Sequence, residues 1–141
     1  SALLSAHVSD TIAEASMFWG RAGIQCKGRP DLLCMMNGKP TIIDLKTTQD
    51  ITKFDSKFYN LGYAKQAAWY KYGAAMVLGV VPEFVFLAVD TEAPHLAQFV
   101  LPSQEVLDAA DVQISSYLEE YKECYETNNF TAGLPTFRVL V

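Results

Sequence analysis

Hydrophobic positions recur first with the period of strands and later with the period of helices. Thr11 to Trp19 alternates imperfectly, with Ile12, Phe18 and Trp19 as strand-forming residues, and predicts a strand that contains Glu14. The cluster Gly20-Arg21-Ala22-Gly23 turns the chain back. Ile24 to Met36 predicts a second strand, bent at Gly28 and Pro30 because proline has no N–H to give to a ladder. Asn37-Gly38 is a hairpin signal, and Thr41 to Lys46 follows as a third strand that completes an antiparallel meander.

Beyond Lys46 the period lengthens. Thr47, Thr48 and Asp50 offer helix caps, and Ile51, Phe54, Phe58 and Leu61 recur at helical spacing, so a short helix is expected there. Gly62 to Gly79 is the strongest helical segment, rich in Ala and Lys and closed by Gly79 and Pro82. Gln66 and Tyr70 lie four apart on one side of it. Glu83 to Val89 is a continuous apolar run, which suits a strand buried on both faces, and Leu96 to Leu101 predicts an antiparallel neighbour. Ser103 caps a last helix whose apolar stripe is Val106, Ala109, Ala110, Ile114, Tyr117, Leu118 and Tyr121. Thr127 to Val141 ends in Phe137, Val139, Leu140 and Val141 and is expected to pack on this or another subunit. The pattern is that of one α/β domain over residues 1–141, a mixed sheet flanked by helices.

Composition narrows the class. No run approaches eighteen apolar residues and no basic segment leads into a short hydrophobic stretch, so the expectation is a cytoplasmic protein with no membrane partner. Cys26, Cys34 and Cys124 are odd in number and widely spaced, which argues for buried thiols over a disulfide framework or zinc site. The net charge of −5 hides an asymmetry: nine basic and six acidic residues precede position 81, while two basic and ten acidic residues follow it. That division permits a basic working face and an acidic back, or simply a solvated acidic helix.

The segment from Gly28 to Lys46 gathers the chemistry. Within the third strand, positions 42, 44 and 46 share a face because side chains alternate, so Asp44 and Lys46 point the same way, hairpin-adjacent to Asp31. Singly, each has a plain structural use: Asp44 as a cap, Lys46 as an edge lysine, Asp31 as a turn residue after Pro30. Together, charges between apolar Ile43 and Leu45 would be costly to bury unless something pairs with them. Two carboxylates, with the Leu45 carbonyl, make a hard-oxygen site for magnesium, and Lys46 is placed to orient an attacking water or offset negative charge.

Gly28-Arg29-Pro30-Asp31, then Ile43-Asp44-Leu45-Lys46-Thr47-Thr48, then Gln66 and Tyr70, resemble the PD-(D/E)xK nuclease superfamily, and within it the exonuclease VIII (RecE) type of phage recombination nuclease. The likeness takes in Ala13 to Ser16, Phe18-Trp19, the segment from Asp50 to Tyr59 and Pro82 to Leu87, so it spans roughly residues 6 to 90. The resemblance implies a restriction-endonuclease-like core, with Asp31 and Asp44 binding Mg2+, Mn2+ able to substitute, and Lys46 as the catalytic lysine. It implies a metal or water-ordering role for Glu14, and that Gln66 and Tyr70 contact substrate or order the lysine. Arg29, Lys53, Lys57 and Lys65 are candidates for phosphate contacts.

The implied activity is a 5′ to 3′ exonuclease on double-stranded DNA ends that leaves a strand for a single-strand annealing recombinase, in a homo-oligomeric ring. Relatives carry a helical segment before the first strand, and the chain is expected to lack part of it. Two rivals remain. A RecB-like or CRISPR-associated nuclease shares these motifs, although its iron–sulfur forms need four cysteines. A catalytically inert DNA-binding or assembly domain on the same fold would show loss of a core ligand.

Overall fold

A computed structural model describes residues 7–130. In chain order its strands are β1 (Val8–Ala13), β2 (Met17–Arg21), β3 (Ile24–Gly28), β4 (Leu32–Met36), β5 (Lys39–Thr48), β6 (Glu83–Asp90) and β7 (Ala97–Val100). Its α-helices are α1 (Phe54–Asn60), α2 (Tyr63–Leu78) and α3 (Gln104–Thr127). A mixed sheet runs in the order β1-β4-β5-β6-β7, and β2 and β3 form a separate hairpin. Among the described residues only β5 and β6 pair in parallel, which requires a crossover; the chain between them supplies it as α1 and α2.

Local chemistry sets the helix ends. Asp50, in extended conformation, accepts from the Thr52 N–H and opens a 3-10 turn over Ile51–Lys53 that leads into α1. α2 runs between Gly62 and Gly79, both with φ above +70° or at it, where a side chain would be strained. Ser103 caps α3 through the Val106 N–H. The core lies between the sheet and these helices: Ile42, Phe54, Phe58, Ala67, Phe84 and Phe86 are buried together, and α3 adds Leu107, Ala110 and Ile114.

Several expectations are corrected. Thr11 to Trp19 is two strands, because the chain breaks at Glu14, whose φ of 51° is left-handed. Ile24 to Met36 is likewise two strands, β3 and β4, separated at Arg29-Pro30-Asp31 and belonging to different sheets. The meander is therefore interrupted: β1 pairs with β4, and the β2–β3 hairpin swings out to pack on α2. On α3, Leu107 is buried in place of Ala109, and Tyr117 and Tyr121 are 54% and 51% exposed. Cys26 and Cys34 are buried as expected, whereas Cys124 on α3 is only half-buried. Of the expected tail, Thr127 to Val141, Thr127 ends α3 and Asn128 caps it, while residues 131–141 lie outside the described part, as do residues 1–6.

The hairpin is fixed by close packing and by polar ties, among them the bond from Trp69 Nε1 to the Lys27 carbonyl at 3.0 Å. A Cβ on Gly73 would lie 2.5 Å from the Trp19 ring, so the glycine is what lets Trp19 reach the α2 backbone. Trp19 also meets Trp69 at 5.1 Å between ring centroids. Arg21 donates to Asp111 and Ser115 of α3, each at 2.9 Å, and lies over the Tyr72 ring.

Candidate active site

β5 is flanked unequally along its length. β4 pairs with it only from Lys39 to Ile43, while β6 follows it from Thr41 to Thr48. From Asp44 onward one edge has lost its strand, and the Asp31 side chain takes that place: its Oδ2 accepts the Leu45 N–H at 2.8 Å. Within a strand the N–H and C=O of one residue point to the same side, so the Leu45 carbonyl also faces this open edge. Asp31 itself is exposed and Leu45 is 52% exposed.

On the face that begins with buried Ile42, Asp44 is 2% exposed, and its Oδ2 lies 2.7 Å from Lys46 Nζ. The approach is off the hydrogen-bonding direction, so this buried oxygen has a cation beside it but no well-directed donor. Burial pushes the Asp44 carboxyl above its ordinary value, Lys46 opposes that, and the negative charge of Asp31 adds to it. Lys46 donates to Gln66 Oε1 at 2.8 Å, and its ammonium sits 4.4 Å from the centroid of the Tyr63 ring. The ammonium is therefore held from three sides, by Asp44, Gln66 and an aromatic face.

Tyr70, one turn beyond Gln66, packs at Gly28 and donates to the Arg29 carbonyl at 3.4 Å. A Cβ at Gly28 would approach the Tyr70 ring to 2.9 Å, which accounts for glycine at this point. Tyr70 thus props the chain just ahead of Pro30 and Asp31, while Gln66 props the lysine. Glu14 is not inside a strand as expected. It occupies the bend after β1, tied by its N–H to the Asp31 carbonyl at 2.9 Å, and its side chain is exposed with Arg29 3.7 Å away. Its backbone is at the site, but its carboxylate is not gathered with Asp31 and Asp44.

The basic candidates divide. Lys57 Nζ donates to Thr48 Oγ1 at 3.0 Å, which brings it to the row formed by Asp44, Lys46 and Thr48. Lys65 flanks Gln66 on α2 and lies 5.5 Å from the Tyr117 ring centroid. Arg29 is exposed beside Glu14, and Lys53 is exposed with Asp50 at 3.5 Å. Thr48, a cap candidate and the last residue of the family motif in the sequence, falls on the site face by one more step of the two-residue alternation.

Two carboxylates and a carbonyl are all hard oxygen donors, and a buried Asp44 oxygen without a well-directed donor is what a cation would satisfy. Among the described residues no group of three or more His, Cys, Asp or Glu is gathered for a metal. That donor set fits magnesium, which keeps several waters, better than zinc, which takes nitrogen and sulfur. No helix among the described residues is long and apolar enough to cross a membrane.

Comparison with known proteins agrees with this fold. No curated protein sequence matches the chain. Among solved structures, a "Putative exonuclease" from Eubacterium rectale superposes with a TM-score of 0.71 at 17% identity, covering 92% of this chain and 53% of its own. SSO0001 matches with a TM-score of 0.47 at 13% identity, over 77% of this chain and 50% of that one, too distant to carry an argument. The chain thus spans about half the length of the structures it matches. Residues 6–133 match the family described as a PDDEXK-like domain of unknown function, DUF3799, and the chain belongs to that family.

Proposed function

We propose that this domain is a magnesium-dependent deoxyribonuclease, a 5′ to 3′ exonuclease acting on the ends of linear double-stranded DNA. The observation that carries the reading is buried Asp44 paired with half-buried Lys46 on one face of β5, 2.7 Å apart, with Asp31 fixed beside them through the Leu45 N–H. A charged pair costs free energy to bury, and the cost is intelligible where the charges act on a substrate. The sequence resemblance to RecE-type nucleases and membership of the PDDEXK-like family support the same reaction class.

Asp31, Asp44 and the Leu45 carbonyl would hold the cation. When bound, a divalent ion acidifies a water and stabilises charge on the phosphodiester. Lys46 does the chain's own share: its ammonium, kept in place by Gln66 and the Tyr63 ring, donates to the attacking water or to a phosphate oxygen. Tyr70 keeps Asp31 in register by holding the Arg29 segment. Lys57 and Arg29 lie where the strand's phosphates would pass. The wider role follows the resemblance: a cytoplasmic enzyme of phage-type homologous recombination, forming a ring around DNA and handing a single strand to an annealing recombinase, with Mn2+ able to replace Mg2+.

The test is end dependence. A 5′-labelled linear duplex should be degraded with Mg2+ while a closed circular duplex of the same sequence survives. Cutting of the circle would overturn the exonuclease assignment in favour of an endonuclease.

A further inference from the structure

Beside Gln66, β3, α2 and α3 enclose an open groove of about 490 Å³. Its walls are aromatic and aliphatic, with Trp69 and Tyr70 from α2 and Tyr117 and Leu118 from α3, and Lys27 and Lys65 stand at it from two different elements. The volume lies within the range of about 300–1,000 Å³ typical of pockets for small organic groups, which is ample for a nucleotide. The groove continues along α3: Tyr117, Tyr121 and Tyr125 follow at four-residue spacing, and the last two stack with centroids 6.4 Å apart. All three are more than half exposed.

Charge follows the same track. Past residue 81 the sequence has only two basic residues, and Lys122 falls one turn beyond Leu118, on the groove side of the helix. Glu119 and Glu126 neighbour Lys122, and Glu120 neighbours Tyr117, by the same spacing, while the groove lining itself carries Lys27 and Lys65 and no carboxylate. Lysines from β3, α2 and α3 therefore frame aromatic faces next to the residue that holds the catalytic lysine.

Resting on the nuclease reading, we propose that this groove binds an unpaired stretch of the DNA strand, its bases stacked on Trp69 and Tyr117 and its phosphates met by Lys27, Lys65 and Lys122. Aromatic rings among cations recognise single strands because every unpaired base offers a π-face, which a duplex keeps inside its own stack. A strand entering the site would be frayed before it reaches Lys46. The groove then favours single-stranded over blunt duplex DNA independently of hydrolysis.

Fluorescence anisotropy with 5′-fluorescein-labelled (dT)15 and a 15-base-pair blunt duplex, in EDTA so that nothing is cleaved, tests this. Wild type should bind the single strand more tightly. Tyr117→Ala, a substitution at an exposed position that leaves the core intact, should weaken (dT)15 binding about tenfold and duplex binding less than about twofold. Lys65→Ala with Lys122→Ala should lower the salt slope of (dT)15 binding by about 1.4, from about 0.7 per phosphate contact. Unchanged (dT)15 affinity in both variants overturns the proposal. So does an equal loss for duplex, or a change in sedimentation with affinity intact, which would assign the face to contact between copies. Because hydrolysis is absent, a failure here leaves the nuclease reading standing, and degradation of duplex by Lys46→Ala would defeat that reading without touching this result.

Discussion

Two charged clusters lie at different places in this domain, and they are built on opposite plans. Arg21 on the β2–β3 hairpin is 9% exposed, and its guanidinium is occupied by Asp111, Ser115 and the Tyr72 ring. Asp111, its partner, keeps 45% of its side chain in solvent. Lys46 and Asp44 are the reverse case: the carboxylate is the buried partner, one of its oxygens lacks a well-directed donor, and burial raises its proton affinity. A satisfied pair with one wet end serves as a fastener. An under-satisfied pair with its dry end inside holds something in reserve, which is the arrangement expected of groups that must bind a cation and a phosphate.

The contrast can be broken by substitution. Lys46→Ala should reduce Mg2+-dependent degradation of linear duplex by about 10²–10⁴-fold, the range for a positioned proton-transfer or charge-stabilising group, measured by single-turnover kinetics at unchanged helical content. Equal activity would make Lys46 a fastener after all. Gln66→Ala should cost about 10–100-fold, as is usual for residues that orient a working group. The loss should fall in kcat, since the lysine is misaligned and the substrate still binds. Arg21→Ala should show the opposite profile: about 1–3 kcal/mol of stability lost in urea unfolding, with activity per folded molecule retained.

The smallest effect is a sign. The Asp44 carboxyl titrates above its ordinary value of 3.8, so the folded state holds that proton to higher pH than the unfolded chain does. Stability from this group is present below 3.8 and falls as pH rises through its raised value. Asp44→Asn removes the fall, so its unfolding midpoint at neutral pH should equal or exceed that of wild type. A lower midpoint, with a steeper decline as pH rises, would mark Asp44 as a structural partner of Lys46.

Much of this was legible in the sequence, for identifiable reasons. Asn37-Gly38 turned β4 into β5, and alternation put Asp44 and Lys46 on one face, because those signals are local. The caps at Ser103 and Gly79 were equally plain. The break at Glu14 was not: Ala15 and Ser16 carry no Gly or Pro, and alternation resumes at Met17 and Trp19 as if one strand continued. What ends β1 is the left-handed backbone of Glu14, with φ 51°, directly after the last β1–β4 pair, Ala13 with Leu32. The Arg21 clamp was invisible because its partners lie 90 and 94 positions away. Family likeness places Gln66, and the fold supplies the reason, its side-chain oxygen accepting from Lys46 at 2.8 Å.

The most direct test is Mg2+-dependent degradation of a 5′-labelled linear duplex by folded Asp44→Asn protein beside wild type. The account predicts no degradation above background from a variant at least as stable as its parent. Degradation at the wild-type rate would contradict it.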